Sequence, residues 1–365
     1  MQTKIVIVIT GMSFGGAERV TANLSNYFVS CGNDVTIISL TKTEPAYRLS
    51  EKIHYIWFDE SLRKNAVHRD IALIANIRKE IKKLKPNLIL GMMSYSGALA
   101  AYACAGLNIP VLLSERNDPN TSIAFKNIEK LIIKFAYRHL ASDAVFQTLA
   151  AKEYYFGKKD KGFIIPNPLY LEDMPAANQG MNMSFRIISA GRLSRQKNYE
   201  LLIRAFIKVH AKYPRYTLTI FGEGEKRKDL ETLISDLGLI DSVFLPGIEN
   251  NIFTQMQNAE CFVMSSLYEG MPNALIEAMA MGLPVITTDY SEGRGTVVDD
   301  KKNGLIVPRN NENALSDAMM FFIENQKDAE KMGKRASAIR ERLDSNLICK
   351  QWLNCIEECV ARKCQ

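Results

Sequence analysis

The sequence predicts an α/β chain of two parallel-sheet domains, and three observations carry that prediction. An apolar run over residues 4–10 leads through a helical pattern into a second apolar run, residues 34–40; a stretch without periodicity covers residues 169–183; and strand and helix patterns begin afresh at Phe185. Buried parallel strands read as near-continuous Val/Ile/Leu runs, and each needs a helical crossover to the next. At 365 residues, 47% hydrophobic and 24% charged, the chain has material for two cores. The expected division is a first domain over 1–168, a linker over 169–183, a second domain over 184–343 and a terminal helical segment over 344–365.

In chain order, the apolar core of the first run spans only residues 5–9, with no small-residue cleavage site after it, so no leader or span is expected and a cytoplasmic location is. The following turn carries Gly11, Gly15 and Gly16. These do not form Gly-x-Gly-x-x-Gly, and no Gly-Lys-Ser/Thr follows, which disfavours a dinucleotide fingerprint and a phosphate-loop NTPase. Helix 16–31 places Val20, Leu24 and Phe28 on one face. Helix 68–84 carries Arg69, Arg78, Lys79, Lys82 and Lys83 and ends before Pro86. Residues 86–114 contain no charge, yet Gly91, Gly97, Gly106 and Pro110 break them into strand 87–92, helix 96–107 and strand 111–114 rather than a membrane span. Helix 122–140 is amphipathic, with Phe125, Ile128, Leu131, Ile132, Phe135 and Leu140 against Lys126, Lys130, Lys134 and Arg138. A membrane-interface helix and a core-facing surface helix share that pattern. Short strands 144–148 and 163–166 complete the first sheet.

Strand 185–190 opens the second domain and runs into Gly191-Arg192-Leu193-Ser194-Arg195-Gln196-Lys197-Asn198. Strand 217–221 is followed by Gly222-Glu223-Gly224-Glu225, and strands 243–245 and 259–264 come next. The chain is organised around residues 265–288, SSLYEGMPNALIEAMAMGLPVITT. Seven residues separate Glu269 from Glu277, and between them Gly270-Met271-Pro272-Asn273 opens a helix, with Pro272 in its first turn. Free amides at such a start suit an anion. Glu277 lies about 6 Å further along the axis, so the two carboxylates address different parts of an elongated ligand. A capping Glu269 and a solvated Glu277 would give the same spacing. Helices 313–324, 328–343 and 346–362 close the chain.

Charge is uneven: residues 1–168 carry 22 Lys+Arg and 14 Asp+Glu, net +8, and the remainder 24 and 26, net −2. The cations lie on amphipathic helices rather than among stacking aromatics, which favours a membrane surface over nucleic acid, with a solvated face as the alternative. The seven cysteines match no zinc spacing and are expected to be reduced thiols; only Cys355 and Cys359, among the last four, share a helix face.

These motifs resemble the retaining, family-four (group 1) GT-B glycosyltransferases of bacterial surface-polysaccharide type over nearly the whole chain. The likeness rests on the two glutamates seven residues apart with their Gly-x-Pro-Val strand, Gly-Arg-Leu with Gln-Lys-Asn at 191–198, Gly-Gly-Ala-Glu at 15–18, the 165–168 crossover and Asn-Gly-Leu at 303–305. It implies two Rossmann-like domains facing a donor cleft, with a terminal helix crossing back to the first. It implies Arg192, Lys197 and Glu269 as catalytic, and Gly15, Gly16, Glu223, Gly270, Met271, Pro272, Asn273 and Glu277 as donor-binding. Arg192 and Lys197 would meet the leaving diphosphate, Glu269 the sugar and Glu277 the ribose. Glu115, Arg116 and Asn117, after strand 111–114, fall on the acceptor side. Many relatives have histidine at the place of Arg116, which can instead grip an acceptor pyrophosphate or form an interdomain salt bridge.

The activity so implied moves a hexose or N-acetylhexosamine from a nucleotide sugar, UDP favoured, to a polyprenyl-diphosphate-linked saccharide at the inner face of the membrane. No Asp-x-Asp stands where a cation site would be, so no metal and no further cofactor is expected. A nucleotide-sugar 2-epimerase, a GDP-mannose-dependent transferase and a non-catalytic nucleotide-sugar-binding protein are the alternatives. The sequence does not encode an oligomeric state.

Overall fold

The structure, a computed structural model, describes residues 2–59, 65–116, 119, 127–159, 161–171, 174–177, 184–291 and 297–364. The chain forms two compact units. One comprises Met1–Pro168 with Ser345–Gln365, the other Leu169–Asp344.

The first unit is built on β1 (Lys4–Ile9), β2 (Asp34–Ser39), β3 (His54–Trp57), β4 (Leu88–Met92), β5 (Val111–Ser114), β6 (Asp143–Phe146) and β7 (Phe163–Ile164). All pair in parallel, in the order β3-β2-β1-β4-β5-β6-β7. The order reverses between β1 and β4, the switch point outside which open α/β sheets bind ligands. Its helices are α1 (Gly16–Ser30), α2 (Ala66–Leu84), α3 (Ser94–Cys104), α4 (Asn127–Phe135) and α5 (Leu149–Phe156). A π-helical turn, Ala136–Leu140, continues α4. Asn65 caps α2 by accepting from the amides of Val67 and His68, so the helix begins at Ala66, two residues before the expected start. The uncharged 86–114 stretch resolves into β4, α3 and β5, all buried against the sheet. No helix among the described residues is long and apolar enough to cross a membrane.

The second unit repeats the plan. Strands β8 (Arg186–Ala190), β9 (Thr217–Phe221), β10 (Val243–Gly247), β11 (Cys261–Met264), β12 (Val285–Thr288) and β13 (Leu305–Val307) form a parallel sheet in the order β10-β9-β8-β11-β12-β13. Helices α6 (Tyr199–Lys212), α7 (Arg227–Asp236), α8 (Ile252–Gln257), α9 (Asn273–Ala280), α10 (Glu312–Glu324), α11 (Gln326–Ala336) and α12 (Ile339–Arg342) cover it. One face of the sheet packs Leu202, Phe206, Leu230, Met319 and Phe322; the other packs Phe262, Leu275, Met279, Tyr290 and Ile339. The last element, α13 (Ser345–Cys364), belongs to the first unit.

Four differences from the sequence reading have local causes. Strand β3 is a half-exposed edge with little apolar signal, and α5 was too short to show periodicity. The single helix expected over 328–343 is two, because around residues 337–340 the amides of Ala338 and Arg340 bond three residues back, to Arg335 and Ser337. The expected linker is partly core: Leu169 and Met174 are buried in the second unit, and the Leu169 amide donates to the Leu343 carbonyl at 2.7 Å.

Candidate functional site

In the second unit the loops leaving β8 and β11 are laced together. The Leu267 amide donates to the Gln196 carbonyl at 2.8 Å, and Ser265 Oγ donates to the Lys197 carbonyl at 2.8 Å. Thr288 Oγ1, at the end of β12, donates to the Ser266 carbonyl at 2.6 Å. Lys197 and Glu269 thereby face each other, with Lys197 Nζ 2.6 Å from Glu269 Oε1. Ser266 Oγ donates to that same oxygen at 2.7 Å, and Gln196 Nε2 approaches Oε2 at 3.3 Å. Gln196, Ser265 and Ser266 stood inside the sequence motifs without an assigned role; their polar side chains between a strand end and a helix start were the available signal.

The carboxylate's field reaches three phenols. Burial raises the pKa of Tyr199, Tyr268 and Tyr290 above the ordinary phenol value, and the Glu269 charge pushes each the same way. The Lys197 stem lies against Gly191, the residue before Arg192. Arg192 itself is exposed, and among the described residues no side chain pairs with it. The two cations therefore leave one loop at adjoining places, Lys197 held by Glu269 and Arg192 open to an incoming anion.

The loop after β9 packs directly onto this one. A Cβ at Gly222 would lie 2.0 Å from the Gly191 carbonyl oxygen, and one at Gly224 2.3 Å from that of Leu193. Only glycine permits this approach. Glu223 between them is clasped by Arg227, whose Nη2 and Nε meet its two oxygens at 2.5 and 2.7 Å; this i, i+4 pair also holds its pKa below the ordinary carboxylate value.

Pro272 is the cap of α9 rather than part of its first turn, because its carbonyl already accepts the first helical bond, from the Ile276 amide at 3.1 Å. Pro272 has no polar side-chain group with which to cap this helix start, and Gly270, Met271 and Asn273 flank it. Glu277 lies one turn into α9 and is buried. Glu269 does not cap the helix; it serves Lys197.

In the first unit Gly15 precedes α1, and its amide and carbonyl both pair with the Tyr47 hydroxyl, at 3.2 and 3.1 Å. The Glu18 carboxyl fills the space a side chain at Gly15 would need. The Gly15 amide is thus engaged internally, and Gly16 is the first residue of the helix. Glu115, directly after β5, is fully interior. Its Oε1 accepts from Ser94 Oγ at 3.2 Å and the Arg116 amide at 3.0 Å, and its Oε2 from the Tyr155 hydroxyl at 2.7 Å. The Tyr155 ring stacks on Tyr137 at 4.0 Å, and burial raises both phenols well above their ordinary value. Arg116 is buried, donating from Nη1 to Asn167 Oδ1 at 2.9 Å, with its guanidinium carbon 4.8 Å from the centre of the Trp352 ring. Glu115 and Arg116 therefore brace the end of β5 from within. Asn117 lies outside the described residues.

The family model for glycosyl transferases group 1 matches residues 173–338, and that for Glycosyltransferase Family 4 matches residues 14–172. An uncharacterised glycosyltransferase of Methanocaldococcus jannaschii is 37% identical over 51% of this chain and 50% of its own length. The Campylobacter jejuni N-acetylgalactosamine-N,N'-diacetylbacillosaminyl-diphospho-undecaprenol 4-alpha-N-acetylgalactosaminyltransferase is 28% identical over 89% of this chain and 91% of its own. Among solved structures, Anabaena HepE in complex with UDP and glucose superposes with a TM-score of 0.85 at 17% identity, over 98% of this chain and 100% of that one. With both halves matched in order and the same fold throughout, the chain belongs to the group 1 glycosyltransferases of GT-B fold, of the type that acts on nucleotide sugars in polysaccharide biosynthesis.

Proposed function

We propose that the chain moves an N-acetylhexosamine or hexose, from a UDP-sugar in the first instance, to a saccharide carried on a polyprenyl diphosphate, with retention at the anomeric carbon and without a metal ion. The observation that carries this reading is the Lys197–Glu269 pair, on one loop with the exposed Arg192 and a few residues ahead of the start of α9. Departure of a nucleoside diphosphate builds negative charge. Two cations and a helix N-terminus are the means of meeting it.

In this reading Glu269 accepts from hydroxyls of the transferred sugar, Glu277 from the ribose diol, and Lys197 moves from Glu269 towards the diphosphate. The leaving phosphate assists deprotonation of the acceptor hydroxyl, so no separate base is assigned. The Campylobacter relative, named for transfer onto a diphospho-undecaprenol-linked saccharide, supports the acceptor class. We assign the acceptor to the end of β5, which Glu115 and Arg116 brace.

Thermal unfolding with UDP, GDP, ADP and dTDP tests the donor side. A nucleotide at 100 times its dissociation constant adds about 2.7 kcal/mol. UDP is expected to raise the melting temperature of the wild type and to lose most of that effect with Glu277→Ala. Product NMR with a lipid-linked acceptor, in the presence of EDTA, then reads the anomer and the metal requirement together. An inverted product or an EDTA-silenced enzyme would overturn those parts of the reading.

A further inference from the structure

Among the described residues three donors hold the Glu269 carboxylate, and they differ in how firmly they are held themselves. Ser266 is fully buried, its hydroxyl turns on a single side-chain torsion, and its carbonyl is fixed by Thr288 Oγ1 at 2.6 Å. Gln196 Nε2 spends one N–H bond on Glu269 Oε2 and the other on the Tyr268 carbonyl at 2.9 Å, while the Gln196 carbonyl takes the Leu267 amide. Lys197 is the exception. Its carbonyl is tied by Ser265, but its ammonium group stands at the end of a flexible stem and, among the described residues, has no partner except Glu269 Oε1.

The ammonium group can therefore swing away by breaking one ion pair and no link between the loops. The buried hydroxyl cannot follow it. An ionised carboxylate only accepts, with about four lone-pair sites on its two oxygens. Lys197 and Ser266 share Oε1, so a departing ammonium group vacates a place beside a donor that stays. A hydroxyl arriving at that place finds the oxygen already fixed. Without Ser266, the carboxylate left by Lys197 would turn about its own side-chain bonds, and the arriving hydroxyl would have to order it.

We propose that Ser266, helped by Gln196, is a positioning residue that keeps the Glu269 carboxylate in place when Lys197 leaves it for a diphosphate, so that Oε1 meets a hydroxyl of the donor sugar. This deepens the function proposed above and rests on it for the arrival of the donor. The arrangement of the three side chains does not depend on it.

Two measurements test the proposal. Urea midpoints of the ligand-free wild type, Ser266→Ala, Lys197→Ala and the double variant need no donor. Loss of the hydroxyl should shift the midpoint by about twice as much or more when Lys197 is already gone, because the carboxylate then keeps only Gln196. Turnover and melting are read next, with UDP, UDP-glucose, UDP-galactose and the two N-acetylated counterparts. UDP carries no sugar, so Ser266→Ala should keep the UDP melting shift while its turnover at saturating donor falls by about tenfold or more. Gln196→Ala, at a half-buried position and with the longer contact, should show the same split to a smaller degree. The proposal is overturned if the losses of Ser266→Ala and Lys197→Ala simply add, if Ser266→Ala gives up the UDP shift together with turnover, or if its turnover is unchanged. Should neither UDP nor any of the four sugars move the wild-type melting temperature, the donor reading falls and the ligand-free midpoints decide this one.

Discussion

Lys197 Nζ lies 2.6 Å from Glu269 Oε1, and both side chains are largely withdrawn from water. Removing one partner of such a pair strands the other charge, at a cost of about 3 kcal/mol. Lys197→Ala should therefore lower both the melting temperature and turnover, the latter by about a hundredfold or more at saturating donor. Adding Glu269→Gln should restore most of the stability and none of the turnover. Calorimetry and a radiolabelled-sugar assay on the wild type and the two variants separate the two effects. An active Lys197→Ala enzyme would end the diphosphate role.

Gly222 is next to the same loop. Its φ of 138° and the 2.0 Å approach of a Cβ to the Gly191 carbonyl mean that Gly222→Ala must move backbone rather than a side chain. A loss of about 3 kcal/mol or more is expected, together with weaker UDP stabilisation because the Arg192 loop shifts. Gly238, with φ of 68° and nothing within 4 Å, is the control. There alanine meets only the left-handed backbone cost of about 1–2 kcal/mol, and UDP binding should be kept.

A third prediction concerns Arg116 and Trp352, which bring the end of β5 and the terminal helix α13 together within the first unit. Asn167 Oδ1 receives both Arg116 Nη1 and Gln147 Nε2, so the last residues before the chain leaves this unit are tied to the same guanidinium. Trp352→Ala should cost about 3–5 kcal/mol as a large core truncation. Arg116→Lys keeps the charge but loses the planar stack and fork. Its cost should shrink by about 1 kcal/mol or more in the Trp352→Ala background, the coupling a desolvated cation–π contact provides. Additive losses in denaturant midpoints would show that the stack carries no energy.

The strands other than β3, the glycine loops and the spacing of Glu269 and Glu277 were legible because each follows from local chemistry: apolar runs, close backbone turns and a helix start. The Glu223–Arg227 clasp was legible in principle as an i, i+4 pair. What was not legible depended on direction or depth. Glu115 sits at a strand end, where ligand contacts are expected, yet its burial is set by the Tyr137–Tyr155 stack contributed by later elements. Periodicity showed that residues 128–135 form an apolar stripe but not which way it turns. The Arg116–Trp352 contact joins two distant parts of the sequence, and nothing local announces it.

Glu260, the residue before β11, makes a pH-dependent prediction. It is buried, with Oε2 accepting the Phe185 amide at 2.7 Å and Oε1 the Tyr216 hydroxyl at 2.8 Å. Burial raises its pKa above the ordinary carboxylate value, while these two bonds pull the other way without cancelling it. A carboxyl that holds its proton more tightly in the folded state adds stability below its unfolded value, about 4.3, and that contribution is lost as pH rises through the folded value. The urea midpoint of the wild type should accordingly fall, relative to that of Glu260→Gln, as pH is raised upward from about 4.3. The glutamine cannot ionise and keeps an oxygen for one of the two donors, so subtracting the two curves cancels the other carboxylates. Parallel curves would mean that Glu260 titrates alike in the folded and unfolded chains, and that its hydrogen bonds offset its burial in full.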